Sequence, residues 1–213
     1  MSVTATVSIA RMPDSVSTAT RDGIAWGIGN DKDVAWVKEN TVSQGRTITV
    51  AIPAVFADYA TLLHPGEPDL PRDVEEEARQ DRALLAVLQR HTAPQPWWLG
   101  YLDTGASDIV FWEAPKTTLY WGWNYVLVRA GPQQAASWRP SNGQYNWKST
   151  ELPELMFPAD HSWLVSTLWD DDWTCVGGPV TLIADLLRDP QLARRARRVT
   201  TDQDPTPPEV ANA

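Results

Sequence analysis

The stretch that decides the fold class is W-W-L-G-Y-L at Trp97–Leu102, followed by L-Y-W-G-W-N-Y-V-L-V-R at residues 119–129. Both runs are rich in aromatic and branched apolar residues, which is typical of strands. A shorter apolar run, residues 108–112, lies between them and is predicted as a further strand. Gly, Pro, Asp and Thr separate the runs, and successive strands joined by turns favour an antiparallel sheet.

On the C-terminal side, residues 162–169 and 173–176 are predicted to form paired strands around the aspartates of residues 170–172. The G-G-P turn of residues 177–179 then leads into a predicted helix at residues 180–187, because its apolar residues recur at helical spacing.

On the N-terminal side, the clearest predicted helix covers residues 69–91, with acidic residues in its first turns and an apolar stripe. Residues 23–28 and 47–52 are predicted strands, and residues 54–64 a helix that ends before a Pro-Gly pair. The predicted class is α+β, a mostly antiparallel sheet with about three helices packed against it in a single domain.

Composition sets the domain limits. The chain has 213 residues, enough for one substantial core. We expect residues 1–22, rich in Ser, Thr and Ala, and residues 200–213, acidic and rich in Pro, to be disordered. Residues 23–199 then form a single α+β domain.

Charge and cysteine usage narrow the function classes. A formal net charge of -9 repels phosphate backbones and anionic lipids, so we expect neither a nucleic-acid nor a membrane partner. The arginines of residues 194–198 are interpreted as the solvated end of a helix. Cys175 is the only cysteine, which excludes an intramolecular disulfide, and no secretory signal is apparent. We expect a cytoplasmic protein without a cofactor; the sequence leaves its oligomeric state open.

The 12 tryptophans far exceed ordinary usage. Most are expected in the core, and the remainder could offer a surface to a protein or an oligosaccharide. Alternation along a strand would place Trp121, Trp123 and Tyr125 on one face. The residues predicted to bind a partner are Trp121, Trp123, Trp169, Asp170, Asp172 and Trp173.

The aspartates between Trp169 and Trp173 allow two interpretations. Asp170 and Asp172 could share one side of a strand and hold Mg²⁺ or Mn²⁺ for phosphoester hydrolysis. The favoured interpretation is a solvated hairpin turn, since Asp suits turn conformations. Cys175 is interpreted as buried, and His64 and His91 as residues at helix C-termini. No residue is assigned as catalytic, and a non-enzymatic, protein-binding role is favoured.

Two segments carry a family resemblance. The first is I-P-A-V-F-A-D-Y-A-T-L-L-H-P at residues 52–65, and the second is S-W-L-V-S-T-L-W-D-D-D-W-T-C-V-G-G at residues 162–178. Together they resemble a family of uncharacterised actinobacterial proteins, which implies a host group and an architecture but no mechanism. The Pro-led segment with Tyr59, Leu62 and Leu63 is also similar to the SUKH immunity superfamily, and this likeness implies an α+β domain that binds a toxin.

Overall fold

The computed structural model describes residues 17–21, 23–66, 74–105, 109–137, 152–169 and 171–208. These residues form one ten-stranded sheet and four α-helices. The strands are β1 (Ser17–Arg21), β2 (Ile24–Ile28), β3 (Asp58–Leu63), β4 (Trp97–Leu102), β5 (Thr117–Leu119), β6 (Trp123–Ala130), β7 (Leu155–Pro158), β8 (Leu164–Ser166), β9 (Trp173–Gly178) and β10 (Ala196–Arg198). The helices are α1 (Asp31–Asn40), α2 (Val74–Arg90), α3 (Pro132–Ser137) and α4 (Val180–Leu186).

The strand order is β1-β2-β6-β4-β7-β8-β9-β3-β10, and β5 also pairs with β6. All of these pairings are antiparallel. Strand β6 contacts β2 through Val128 and Arg129 and contacts β5 through Trp123 to Tyr125. The first half of β6 therefore forms a hairpin with β5, while its second half extends the sheet towards β1.

Strand β4 lies inside the sheet and is buried along its whole length. Trp97, Leu99 and Tyr101 belong to the core on one face, whereas Trp98 and Leu102 belong to the core on the other. A strand covered on both faces has no polar alternation, which explains its continuous apolar sequence.

Two helical layers cover the sheet. Residues of α2, α3 and α4 pack on one face, among them Leu88, Ala135 and Ile183. Val34 and Val37 of α1 pack on the opposite face, together with Ile48, Ala51 and Ile52 of the following segment. Asn30 begins α1 with a capping box, since its side chain accepts from Lys32 N at 3.0 Å and Asp33 Oδ2 accepts from Asn30 N at 2.9 Å.

Several predicted elements are wrong. Residues 47–52 contain a buried 3₁₀ turn, Ile48–Val50, in place of a strand. Residues 54–64 contain β3 in place of a helix, because this segment pairs with β9 on one side and β10 on the other. Of residues 108–112, the described ones form turns. The arginine cluster does not end a helix, since Arg197 and Arg198 lie on β10.

The predicted class is confirmed: the sheet is mostly antiparallel and carries helices, although it is larger than expected and the described residues hold four helices, not three. Residues 1–16, 22 and 209–213 of the two predicted disordered ends lie outside the described residues, and the predicted limits of the domain stay predictions. Strand β1 lies in residues 1–22, and Gln203 accepts a hydrogen bond from Ile48 N at 3.2 Å through its carbonyl. The single domain remains a prediction. No helix among the described residues is both long and apolar enough to span a membrane.

Candidate functional site: an exposed tryptophan surface

The hairpin between β5 and β6 turns through Tyr120, Trp121 and Gly122. All three residues have positive φ, at 32°, 35° and 94° respectively. Glycine adopts this region freely, but two successive aromatic residues there are strained. Such strain persists only where the surroundings hold the backbone in place.

The side chain of Tyr120 holds the backbone of the turn in place. Its hydroxyl donates to the carbonyl oxygen of Ala51 at 2.9 Å and lies 3.0 Å from the hydroxyl of Ser166. Because the Tyr120 proton goes to Ala51, the Ser166 hydroxyl is left to donate to Tyr120. Burial strongly raises the pKa of Tyr120, and the hydrogen bond with Ser166 lowers that pKa by a smaller amount. The phenol therefore stays protonated. The turn is thus tied to β8 and to the segment that covers the sheet.

A second tie holds the other strand of the hairpin. Asp31, in the first turn of α1, accepts from the Thr117 hydroxyl at 2.5 Å and from Thr118 N at 3.2 Å. The pKa of Asp31 is lowered, mainly by the hydrogen bond from the Thr117 side chain and next by that from Thr118 N. The carboxylate is therefore ionised at neutral pH. Helix α1 therefore fixes β5 against the sheet.

The anchored hairpin brings three tryptophans together, which we call the tryptophan surface: Trp121, Trp123 and Trp169. The ring centroids of Trp121 and Trp123 lie 5.0 Å apart, and those of Trp123 and Trp169 lie 6.3 Å apart. Trp121 is 53% exposed and Trp169 is 39% exposed, while Trp123 is half-buried between them. Large aromatic side chains left in contact with water mark a candidate interaction surface.

The structure brings together only part of the predicted binding set. Trp121 lies in the turn and not on a strand, so it does not share a strand face with Tyr125, which is fully buried. Trp173 opens β9 and packs half-buried against the core on the α1 face. The positions of Trp121 and Trp123 thus follow from the turn at Tyr120, which divides the predicted strand of residues 119–129.

The aspartate cluster connects β8 and β9. Asp172 accepts a hydrogen bond from His64 N at 2.7 Å through its carbonyl oxygen, whereas Asp170 lies outside the described residues. Within the described ranges, no three His, Cys, Asp or Glu side chains converge in a way that could hold a metal ion. The structure therefore leaves the predicted pair of Asp170 and Asp172 untested as a metal site.

The structure also places the other three residues considered for chemistry, Cys175, His64 and His91. Cys175 is buried in the core, and burial strongly raises the pKa of its thiol, which disfavours the reactive thiolate. His64 follows β3 and not a helix, so the predicted dipole contact is wrong for that residue. His91 does follow α2, and its Nε2 lies 2.9 Å from Asp185 Oδ2.

Sequence reasoning missed the residues that support the tryptophan surface, namely Tyr120, Ser166, Asp31 and Thr117. Their signal in the sequence is weak, because the partners of each bond are at least 46 residues apart. The positive φ of Trp121 has no signal in the sequence either, because the glycine that is typical of such a turn is the next residue, Gly122.

No protein-family model, curated protein or solved structure matches this chain.

Proposed function

We propose that the protein is a non-enzymatic binding domain and that the tryptophan surface is its contact with a partner protein. The observation that carries the proposal is the exposure of Trp121 and Trp169 on either side of Trp123. Tryptophan is enriched among residues that dominate binding energy at protein interfaces. Keeping these rings in water is unfavourable unless a partner covers them.

The construction of the surface also supports this role. A pre-formed surface loses little side-chain entropy on binding, and here Tyr120 and Asp31 hold the hairpin before any partner arrives. The net charge of -9 favours a basic partner, because long-range attraction accelerates encounter. A cytoplasmic, immunity-like role, in which the partner is a toxin, belongs to this proposal.

An oligosaccharide is the second candidate, since sugars also stack on aromatic faces. The interplanar angle is 56° between Trp121 and Trp123, and 54° between Trp123 and Trp169. The three rings therefore form no flat platform, and this tilt favours a protein partner that offers side chains in several directions. The metal-dependent hydrolase alternative has no support from the described residues.

Affinity capture from host extract at physiological salt tests the proposal. The bait proteins are the wild type, a Trp121→Ser, Trp169→Ser double variant, and Trp112→Ser. Trp112 is a matched control because it is 48% exposed but lies in the connection between β4 and β5. We expect a partner that binds the wild type and Trp112→Ser alike and is lost from the double variant.

Two results would contradict the proposal. One is a reproducible partner that the double variant retains at wild-type affinity. The other is the absence of any saturable partner together with quenching of tryptophan fluorescence by oligosaccharides, which would favour the carbohydrate alternative.

A further inference from the structure

A cavity of about 330 Å³ lies between the first turns of α2 and the turn that connects α4 to β10. Its polar lining, among the described residues, comprises Glu76, Arg79, Gln80, Gln191, Arg194 and Arg195. The volume is within the range of roughly 300–1,000 Å³ that is typical of sites for small molecules. The cavity therefore has room for a ligand of several non-hydrogen atoms.

The lining is positively charged although the chain as a whole is acidic. Among the described residues that line the cavity, three guanidinium groups, those of Arg79, Arg194 and Arg195, accompany the carboxylate of Glu76. These four groups carry a net charge of +2, in a chain whose formal net charge is -9. A local excess of cations in a concave site attracts an anion.

Glu76 draws two of the guanidinium groups together. Its Oε1 accepts from Arg195 Nη1 at 2.7 Å and also pairs with Arg194 Nη2. A guanidinium carries five N–H donors, so one carboxylate oxygen leaves donors of both arginines for a second acceptor. Arg195 is half-buried, and burial lowers the pKa of its guanidinium. A second anion beside Arg195 would offset the desolvation that causes this shift.

The backbone of Leu63, at the end of β3, positions the walls of the cavity. Its N donates to the carbonyl oxygen of Arg195 at 3.0 Å, and its carbonyl oxygen accepts from Gln80 Nε2 at 3.1 Å. Gln80 is buried and belongs to α2, so one residue joins α2 to the turn before β10. The backbone of Arg195 is therefore fixed before a ligand binds, which lowers the entropic cost of binding.

Arg79 contributes the third guanidinium, from α2. It pairs with Glu75, four residues earlier on the helix, at 3.6 Å, and the two side chains are 46% and 90% exposed respectively. An exposed ion pair of this kind contributes little stability. Arg79 can therefore turn towards a ligand in the cavity at a small cost in free energy.

We propose that this cavity binds a phosphate monoester. The dianion of such a group matches the net charge of +2 on the lining. Its three terminal oxygens accept hydrogen bonds, and arginine binds phosphate through pairs of parallel N–H donors. A carboxylate offers one charge and two oxygens, so it matches three guanidinium groups less well. The overall charge of -9 repels long polyanions such as nucleic acids, so the ligand is compact.

The phosphoryl group has two sources, a small free metabolite or a phosphorylated side chain of another protein. The site does not depend on the tryptophan surface. Leu84 and Leu88 of α2 belong to the core on one face of the sheet, whereas Tyr120 and Trp123 pack against the core on the other. Loss of binding at one site should therefore leave binding at the other unchanged.

Titration of the whole labelled chain with methyl phosphate, followed by amide NMR, tests the proposal. Sodium chloride at equal ionic strength controls for salt. Methyl sulfate controls for charge, because it has the same tetrahedral shape but a single negative charge, and it should bind more weakly. With methyl phosphate we expect saturable shifts in residues 76–80 and 190–195, with Kd on the order of 1 mM.

Arg79→Gln and Arg194→Gln should each weaken binding of methyl phosphate at least about tenfold, which is the effect of losing one hydrogen bond to a charged group. Both side chains are exposed, so neither substitution disturbs the core. Arg90→Gln is the matched control, since it removes the same charge from α2 but lies about 16 Å further along the helix. This control should bind as the wild type does.

Four results would overturn the proposal. They are equal shifts with sodium chloride, shifts that do not saturate, binding of methyl sulfate with the affinity of methyl phosphate, and unchanged binding by Arg79→Gln and Arg194→Gln.

A second titration identifies the source of the phosphoryl group. The probes are the peptide acetyl-Gly-phosphoserine-Gly-amide and the same peptide with unmodified serine. Tighter binding of the phosphopeptide than of methyl phosphate would assign the site to a phosphorylated side chain of a partner. Equal or tighter binding of methyl phosphate would assign it to a small free metabolite, and binding of the serine peptide with the affinity of the phosphopeptide would overturn the proposal.

Discussion

The hydroxyl oxygens of Tyr120 and Ser166 lie 3.0 Å apart, and this contact joins the strained hairpin turn to the middle of the sheet. Tyr120 also donates to the carbonyl of Ala51, so one phenol ties β8, the turn and the covering segment together. The exposed Trp121 follows directly in the chain. The position of the tryptophan surface consequently depends on a buried hydroxyl and not on the tryptophans themselves.

Tyr120→Phe should lower the free energy of unfolding by about 1–3 kcal/mol, because it removes one buried hydrogen bond and leaves Ala51 without its donor. Urea unfolding followed by tryptophan fluorescence measures this change. Tyr125→Phe is the control, since the Tyr125 hydroxyl is buried without a hydrogen-bond partner. We expect that control to be neutral or stabilising, and an equal loss in both variants would contradict the anchoring role of Tyr120.

Replacing the exposed tryptophans should affect binding far more than stability. Trp121→Ser or Trp169→Ser should change the free energy of unfolding by less than about 1 kcal/mol, because both side chains lie at the surface. Trp163, by contrast, is fully buried, and Trp163→Ala should cost about 3–5 kcal/mol. Thermal and urea unfolding of the three variants would measure these changes in the free energy of unfolding. A loss from Trp121→Ser as large as that from Trp163→Ala would contradict a surface role for Trp121.

Gly177 marks a close approach between β9 and the segment that covers the α1 face. A Cβ atom there would lie 2.5 Å from Phe56 Cδ2 and 2.6 Å from Ile52 Cγ2. Gly177→Ala should therefore destabilise the protein by about 1–3 kcal/mol through overpacking. Gly131→Ala should have a smaller effect in the same unfolding assay, since its added methyl would meet only the flexible ends of Gln133 and Gln134.

His161 should make stability depend on pH. Its ring stacks on Trp36 with centroids 4.4 Å apart, and burial lowers its pKa below 6.5 although Asp160 opposes the shift. Since the unfolded state binds the proton more readily, the contribution of His161 is complete above about pH 6.5 and declines as pH falls towards the folded pKa. Urea unfolding at about pH 7.5 and 5.5 should show a smaller pH dependence for His161→Gln than for the wild type.

The sequence predicts those elements that carry a local signal. Strand β4 was predicted with its observed ends, because W-W-L-G-Y-L is both aromatic and bounded by breakers. Much of α2 was predicted from its acidic first turn and apolar stripe. The pairing of β8 with β9 was also predicted and is confirmed. In each case the local pattern and the tertiary environment favour the same conformation.

The errors arise where tertiary pairing decides the structure. Strand β3, D-Y-A-T-L-L, is buried on both faces and lies between β9 and β10. Its apolar residues therefore do not alternate with polar ones, and their spacing can be mistaken for that of a helix. The sequence predicts that the three tryptophans of the tryptophan surface bind a partner, but it does not predict how their rings are arranged. No local pattern reveals that Tyr120 reaches Ala51, or that Asp31 reaches Thr117.

The outer strands of the described sheet, β1 and β10, bear on how readily the sheet can pair with strands of other molecules. Strand β10 has only three residues, and Arg197 Nη2 donates to the carbonyls of Asp204 and Thr206 in the segment that follows it. At the opposite border, β1 is the polar sequence S-T-A-T-R. Edge strands that are short, charged or polar pair poorly with strands of other molecules. Among the described residues, the outer strands of the sheet therefore disfavour open-ended pairing with strands of other molecules.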